Sequence, residues 1–238
     1  MRNTPHFLTA ILITGIACAS ANGTVANRAP NTLSKQEERD GWKLLFDGNT
    51  TNGWRNYRQT TINPGWSVVD GALTLTAKEA GDIITDQEYA NFDLVLDWRV
   101  GEGGNSGVFY RATQEGTYIW QSAPEMQVLD DERHADGKSP LTSAGSSFAL
   151  YDAPRGAVKP AGQWNSARVL VNGDHVEHWL NGTKLLEYEL GGAEWSARVA
   201  KSKFNTMPLY GKAKSGYIGL QDHGDRVEFR NIRIKVLP

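Results

Sequence analysis

Several polar side chains whose types can hold a sugar, a cation or a proton lie close together in the middle of the chain. Glu125 and Gln127 are two residues apart in a strand-like segment, so they share one face of the predicted strand. Asp130, Asp131 and His134 follow where that strand ends. Carboxylate, amide and imidazole groups together can bind hydroxyls, ligate a divalent cation or supply a general base. Taken alone, however, these residues favour a simpler interpretation, a solvated strand edge.

A second polar group follows the apolar segment at residues 216–220. Gln221, Asp222 and His223 stand between that segment and Gly224, whose lack of a side chain permits an irregular backbone. A histidine beside carboxylates has the orienting partner that a general base often needs. The alternative, which the residues alone favour, is a polar hairpin turn in which these side chains cap backbone groups.

Two tryptophans are better placed than the others to stack on a sugar ring. Trp120 lies beside the Glu125 strand, and Trp195 lies in a segment without clear periodicity. Residues 193–211 are interpreted either as a loop over a groove or as an ordinary surface excursion. The tryptophans predicted to be core residues are Trp42, Trp54, Trp66, Trp98 and Trp164.

Several other kinds of site find no support in the sequence. His175 and His178 are three residues apart on a probable strand, so they point to opposite faces and a shared metal is not expected. Residues 101–107 are glycine-rich but lack the lysine of a phosphate-binding loop and precede a strand rather than a helix. Neither a Gly-x-Ser-x-Gly nor a His-Glu-x-x-His motif occurs.

Short strands must position these side chains, because hydrophobicity alternates with a period of two after Gly41. In residues 92–100, for example, the aromatic and aliphatic side chains face one way and the charged ones the other. The Asn181–Gly182 pair favours a tight hairpin turn. Many short strands with regular turns predict an all-β antiparallel sandwich. Because no repeat or change of composition interrupts it, residues 41–238 are predicted to be a single domain.

Composition limits the partners of this domain. The 238 residues include 25 Lys and Arg against 27 Asp and Glu, a net charge of −2, and 39% hydrophobic residues. The hydrophobic share suffices for a sizeable core. Because nucleic-acid binding needs a clustered surplus of Lys and Arg, no nucleic-acid partner is expected.

The first residues carry the pattern of a signal peptide. Arg2 precedes a short apolar run, and the small residues before position 22 allow cleavage after Ala21. A lipoprotein anchored at Cys18 is the less favoured alternative. We therefore predict a signal peptide at 1–21, a polar linker at 22–40, a mature chain without a transmembrane span, and export to the periplasm or the medium.

As a set, several motifs resemble those of the 3-keto-disaccharide hydrolase domain family. The resemblance runs in the same order from about Gly41 to the end of the sequence, whereas residues 146–151 depart from the family pattern. It implies a concanavalin A-like jelly roll, in agreement with the sandwich predicted above. The motifs lie at residues 41–49, 53–54, 105–111, 125–130, 162–165, 180–182, 216–224 and 229–232.

The resemblance also implies cleavage of glycosides whose sugar carries a ketone at C3, by removal of the C2 proton and elimination, followed by addition of water. It implies that the base is Glu125 or His223 and that Arg111 stabilises the developing oxyanion. The cofactor stays undetermined, with a divalent cation at Asp130 and His134 as an alternative. The expected substrate-binding side chains are Gln127, Gln221, Asp222, Trp120 and Tyr151.

Two other functions stay open at this point. A non-catalytic carbohydrate-binding module would bind glycans without turnover, and loss of Trp120 would then matter more than loss of Glu125 or His223. A structural or adhesive sandwich of the cell envelope would neither cleave a 3-keto-glycoside nor bind glycans. The resemblance places the enzyme first and the binding module second, with a carbohydrate as the partner in both. No oligomeric state is predicted.

Overall fold

The computed structural model describes residue 1 and residues 28–238. Within this part the chain forms thirteen strands in two antiparallel sheets, which confirms the predicted antiparallel sandwich. The strands are β1 (Trp42–Leu44), β2 (Trp54–Asn56), β3 (Trp66–Val69), β4 (Ala72–Leu75), β5 (Ile83–Tyr89), β6 (Phe92–Val100), β7 (Asn105–Ala112), β8 (Glu125–Leu129), β9 (Asn165–Asn172), β10 (His175–Leu180), β11 (Thr183–Glu189), β12 (Gly216–Leu220) and β13 (Val227–Val236).

The larger sheet has eight strands, and β13 lies at its centre. Its order is β11-β10-β9-β6-β13-β4-β3, and β1 also pairs with β13. The pairing of β13 with β6 runs from Val227 opposite Val100 to Val236 opposite Phe92. A register shift lies between Arg230 and Arg233, where β13 has one residue more than β6.

The smaller sheet has five strands in the order β2-β5-β12-β7-β8. Strand β8 pairs with β7 so that Glu125 lies opposite Phe109 and Gln127 lies opposite Gly107. These four residues share the outer face of the sheet, because side chains alternate along each strand.

The inner faces of the two sheets form the core. Along β6 every second side chain is buried, from Phe92 through Trp98 to Val100. Val108 of β7 and Met126 of β8 are buried on the inner face of the smaller sheet. Burying each such side chain contributes about 1.5–3 kcal/mol. Because packing holds the inner faces in place, the outer faces are free to carry other chemistry.

Short helices lie before the first strand and between later strands. α1 (Lys35–Arg39) begins at a capping box in which Ser34 and Glu37 each accept from the other's backbone N–H, and α2 (Ala193–Ala200) follows β11. No helix of the described residues is long and apolar enough to cross a membrane. Three 3₁₀ turns lie between strands as well, at Ile119–Gln121, Ala135–Lys138 and Lys203–Thr206.

The segment at 193–211, interpreted from its sequence as a loop, contains α2 and the last of these turns. Trp195 of α2 is only 2% exposed, since it stacks on Tyr188 and Tyr210 at ring-centroid distances of 5.2 and 5.7 Å. Trp195 is therefore a core residue, and its assignment as a sugar-stacking side chain was wrong.

Part of the predicted linker packs against the sandwich. The backbone N–H of Asn31 donates to the side-chain oxygen of Asn231 at 2.6 Å. The backbone N–H of Asn231 donates in turn to the side-chain oxygen of Asn31 at 2.7 Å. Asn31 also donates to the carbonyl of Gly71. The predicted signal peptide at 1–21 and the alternative anchor at Cys18 lie outside the described residues, apart from Met1.

Candidate active site

A pocket of about 300 Å³ opens on the outer face of the smaller sheet. Its floor is formed by β7 and β8, and the segment after α2 supplies one wall. The loop after β12 reaches the pocket because Ser106 donates to the carbonyl of Gln221 at 2.7 Å and the N–H of Gln221 donates to Gly107 at 3.0 Å. The polar side chains that line the pocket are Asn105, Glu125, Gln127, Asp136, Lys203, Gln221 and His223.

Glu125 lies at the bottom of this pocket, with 6% of its surface exposed. Its carboxyl group occupies the space above Gly107, where a Cβ atom would lie 2.7 Å from the Cδ and 2.9 Å from the Cγ of Glu125. Only burial and the charges of neighbouring side chains act on this carboxyl group, and among the described residues no hydrogen bond to it contributes. A buried carboxyl without a protein partner is costly, so it is available to a ligand in the pocket.

Burial dominates the electrostatics of Glu125. It raises the pKa of Glu125 to about 8, and the charges of Asp82 and Asp136 act in the same direction while Lys203 opposes them. Partial desolvation lowers the pKa of Lys203, a residue that is otherwise exposed and whose ammonium group lies 4.2 Å from the centre of the Phe148 ring. The pocket therefore holds a carboxyl and an amine whose pKa values are displaced from their ordinary values towards each other.

His223 and three amide side chains line the pocket, and His134 packs beside His223. The exposed ring of His223 meets the ring of His134 edge-on at 6.1 Å. The side-chain oxygens of Asn105 and Gln221 are buried and have no protein hydrogen-bond partner within the described part of the chain. Gln127 is 1% exposed and donates to the carbonyl of Thr142 at 3.2 Å. The mouth thus offers unpaired hydrogen-bonding groups to a polyhydroxylated ligand.

A second, larger groove of about 770 Å³ adjoins the pocket. Trp120, Gln221 and His223 line both of them and form their common wall. Asp222 and Asp82 lie in the groove, where burial and the charge of Asp222 raise the pKa of Asp82 to about 7. Asp222 accepts from the N–H groups of the glycines at 81 and 224, both at 2.8 Å, so part of its role is structural.

The predicted site residues only partly come together. Glu125, Gln127, Gln221 and His223 line the pocket with Trp120, whereas Asp222 lines the adjoining groove.

Arg111, predicted to stabilise an oxyanion, lies outside this site. Its guanidinium donates to the carbonyl of Ala90 at 2.8 and 3.0 Å and to that of Gly173 at 2.7 Å. These carbonyls belong to turns at the ends of β5 and β9, so Arg111 joins the two sheets. The expected position of Arg111 in the pocket was therefore wrong.

Tyr151 also lies away from the pocket and the groove. Its ring stacks on Tyr188 at a centroid distance of 4.6 Å and on Trp195 at 6.3 Å. Only 7% of its surface is exposed. Tyr151 extends the core aromatic stack, so its expected role as a pocket wall was wrong.

The residues proposed for a divalent cation do not fit one. The two carboxylate oxygens of Asp130 accept from the N–H groups of Gly103 at 2.7 Å and Glu132 at 3.1 Å. Nδ1 of His134 accepts from the N–H of Asp136 at 3.1 Å. Because the Asp130 carboxylate closes backbone turns, Asp130 and His134 do not form a ligand set.

Within residues 28–238, one cluster has metal-ligand spacing, and it lies elsewhere. The ligand atoms of His175, Glu177 and Glu187 lie within 4.8 Å of one another. Lys184 already pairs with both glutamates, at 3.6 and 2.7 Å, and Glu189 pairs with His175 at 2.8 Å. The cluster is therefore a network of surface ion pairs. His178 lies on the opposite face, as expected, with its Nδ1 3.0 Å from the carbonyl of Gly145.

Sequence reasoning missed Lys203, Asp136 and Gly107 as site residues. Lys203 lies in a segment without periodicity, and Asp136 stands on a short 3₁₀ turn, so neither carried a pattern. Gly107 did carry a signal, because a glycine inside a strand often marks the close approach of another group.

Comparison with known proteins identifies the family of this chain. A match to the 3-keto-alpha-glucoside-1,2-lyase-like domain spans residues 41–235. A protein of Bacteroides thetaiotaomicron named 3-keto-disaccharide hydrolase is 38% identical over 240 residues, covering 87% of this chain and 82% of the relative.

Solved structures show the same fold. A crystal structure from Parabacteroides distasonis, provisionally described as a glycosyl hydrolase, is 34% identical with a TM-score of 0.82, covering 88% of this chain and all of that one. A second structure from the same organism, with the same description, is 31% identical with a TM-score of 0.67, covering 82% of this chain and 99% of that one. With its match over residues 41–235 and a relative at 38% identity, the chain belongs to the 3-keto-alpha-glucoside-1,2-lyase-like domain family.

Proposed function

We propose that this protein is an exported enzyme that cleaves the glycosidic bond of 3-keto-glycosides by elimination. The family and the named relative indicate an enzyme that acts on glycosides. The observation that carries the finer proposal is the Glu125 carboxyl, which is buried, unpaired and open to the pocket. The predicted signal peptide at 1–21 supports export.

Glu125 is the base in this proposal. A ketone at C3 acidifies the proton on C2, so the carboxylate can take that proton while the electron pair moves onto the C3 oxygen as an enolate. The enolate then re-forms the ketone, a double bond forms between C1 and C2, and the C1–O bond to the leaving group breaks. Addition of water across that double bond, with hydroxyl to C1 and a proton to C2, completes a net hydrolysis.

Two cationic or proton-donating groups suit the charges that develop. Lys203, on the pocket wall, takes the role expected of Arg111 and stabilises the enolate oxygen. His223 stands where the pocket meets the groove and donates a proton to the departing oxygen. Asn105 and Gln221 have unpaired amide oxygens that accept from sugar hydroxyls.

A paired substrate assay tests this function. The purified protein is expected to cleave a 3-keto-glucoside and to leave its unoxidised parent intact, because only the ketone acidifies the C2 proton. Activity in the host should follow the periplasmic or secreted fraction. Binding of glycans without cleavage of the 3-keto-glucoside would contradict the proposal and favour a carbohydrate-binding module.

Replacing Lys203 with methionine is expected to move the pH dependence of kcat/KM. If Glu125 acts as its carboxylate, kcat/KM rises with pH through the pKa of Glu125, about 8. The Lys203 charge lowers the pKa of Glu125, so its removal shifts the rising limb to higher pH. Lys201 gives a matched control, because it is exposed like Lys203 but lines neither the pocket nor the groove, so Lys201→Met should leave the profile in place. An activity that falls through about pH 8 in the unaltered enzyme would contradict a carboxylate base.

A further inference from the structure

The groove beside the pocket is not needed to bind the ring that reacts in the proposed function. At about 770 Å³ it is more than twice as large as the pocket, and it meets the pocket at Trp120, Gln221 and His223. A ligand bound in the pocket could therefore continue into the groove without a break.

The lining of the groove combines an aromatic surface with polar side chains. Tyr118 and Trp120 stack with their rings 5.2 Å apart and nearly parallel, and Tyr118 remains 55% exposed. Gln59, Thr61 and Thr117 add exposed amide and hydroxyl groups. An aromatic face with hydrogen-bonding groups around it suits a pyranose ring, whose C–H face packs on the aromatic ring while its hydroxyls bind the polar groups.

The common wall fixes which part of a substrate lies where. In the proposed reaction the ring that loses its C2 proton must lie against Glu125, so it occupies the pocket. The departing oxygen must then lie near His223, at the wall, and what that oxygen carries extends into the groove. Gln221 also belongs to this wall, and its buried side-chain oxygen lacks a protein partner among the described residues, so it is available to a hydroxyl near the bond that breaks.

We propose that this groove is the binding site for the leaving sugar, with Tyr118 and Trp120 as its stacking platform. The inference rests on the proposed function, and it makes the leaving group a second pyranose rather than a small alcohol. Tyr118 is a specificity-determining residue, because it lines the groove and not the pocket.

Tyr118→Ala tests this inference with two substrates. For a 3-keto-disaccharide, kcat/KM is expected to fall about tenfold, the loss that corresponds to about 1.4 kcal/mol of stacking. For methyl 3-keto-glucoside, which lacks the second ring, the change should stay below about twofold. A second variant, Gln59→Ala, removes an exposed side chain of the groove and should give a smaller loss with the same substrate selectivity.

Trp179→Ala is the matched control. Trp179 lies on β10 of the larger sheet, contacts Arg168 and lines neither the pocket nor the groove, so both activities should be retained. Equal losses on both substrates with Tyr118→Ala, or no loss on either, would overturn the inference and leave the proposed function intact. If the unaltered enzyme cleaves neither substrate, the proposed function itself fails.

Discussion

Replacing Glu125 with glutamine is expected to lower kcat/KM for a 3-keto-glycoside by about 10³-fold, because a general base contributes about 10² to 10⁴ in rate. Glutamine has nearly the same shape but cannot take the C2 proton. The measurement is the initial rate with a 3-keto-glucoside. Binding of the substrate by the variant, followed by tryptophan fluorescence or calorimetry, should persist, since the pocket keeps its volume.

The stability of the same variant gives an independent control. Burial raises the pKa of Glu125 to about 8, against an ordinary value of 4.5, so the folded protein keeps a proton that the unfolded chain releases between these values. The contribution of Glu125 to the free energy of unfolding is therefore greatest below pH 4.5, and it falls as the pH rises towards 8. The glutamine variant lacks this loss, so the difference between its Tm and that of the native protein should change in favour of the variant as the pH rises. A variant that keeps full activity would move the base role to His223.

Replacing Gly107 with alanine is expected to lower kcat/KM about 10²-fold, because a misplacement of about 1 Å at a reacting group costs that much. The added Cβ would meet the Cγ and Cδ atoms of Glu125 at 2.9 and 2.7 Å. The backbone at Gly107 is not in the left-handed region, so alanine fits the strand, and the flexible end of Glu125 is what must move. Activity should therefore fall while the unfolding transition changes little.

Two controls separate positioning from general damage. A Cβ atom added at Gly101 would have no neighbouring atom within 4 Å, and the backbone there is not left-handed, so Gly101→Ala should leave the rate unchanged. Adding Gly107→Ala to Glu125→Gln should cost much less than it costs alone, because both act through the same carboxyl group. Additive losses would show that Gly107 acts on something other than Glu125.

The strands were accessible to sequence reasoning because their signals are local. The alternation at residues 92–100 predicts β6 with the bounds it has in the structure, and 216–220 matches β12 in the same way. The pairing of Glu125 and Gln127 on one face also follows from the period of two. Neither prediction needs information about distant parts of the chain.

The complete site was not accessible, because its geometry depends on tertiary contacts. Arg111 has a backbone φ of 51°, a left-handed conformation that interrupts the alternation and turns its side chain towards Ala90 and Gly173. Nothing in the local sequence marks that conformation for an arginine. Lys203 reaches Glu125 only because α2 and the turn after it pack beside the smaller sheet, and this packing has no periodic signature.

The central position of β13 has a consequence for biogenesis. Three strands that are synthesised earlier, β1, β4 and β6, pair with β13. The larger sheet therefore cannot be completed until residues 227–236 have been synthesised. Contacts so distant along the chain form slowly, and they cannot form on a ribosome that still holds those residues. In the export proposed above, a polypeptide that reaches a translocation channel before that moment arrives without a finished sheet, in the state that threading through a narrow channel requires.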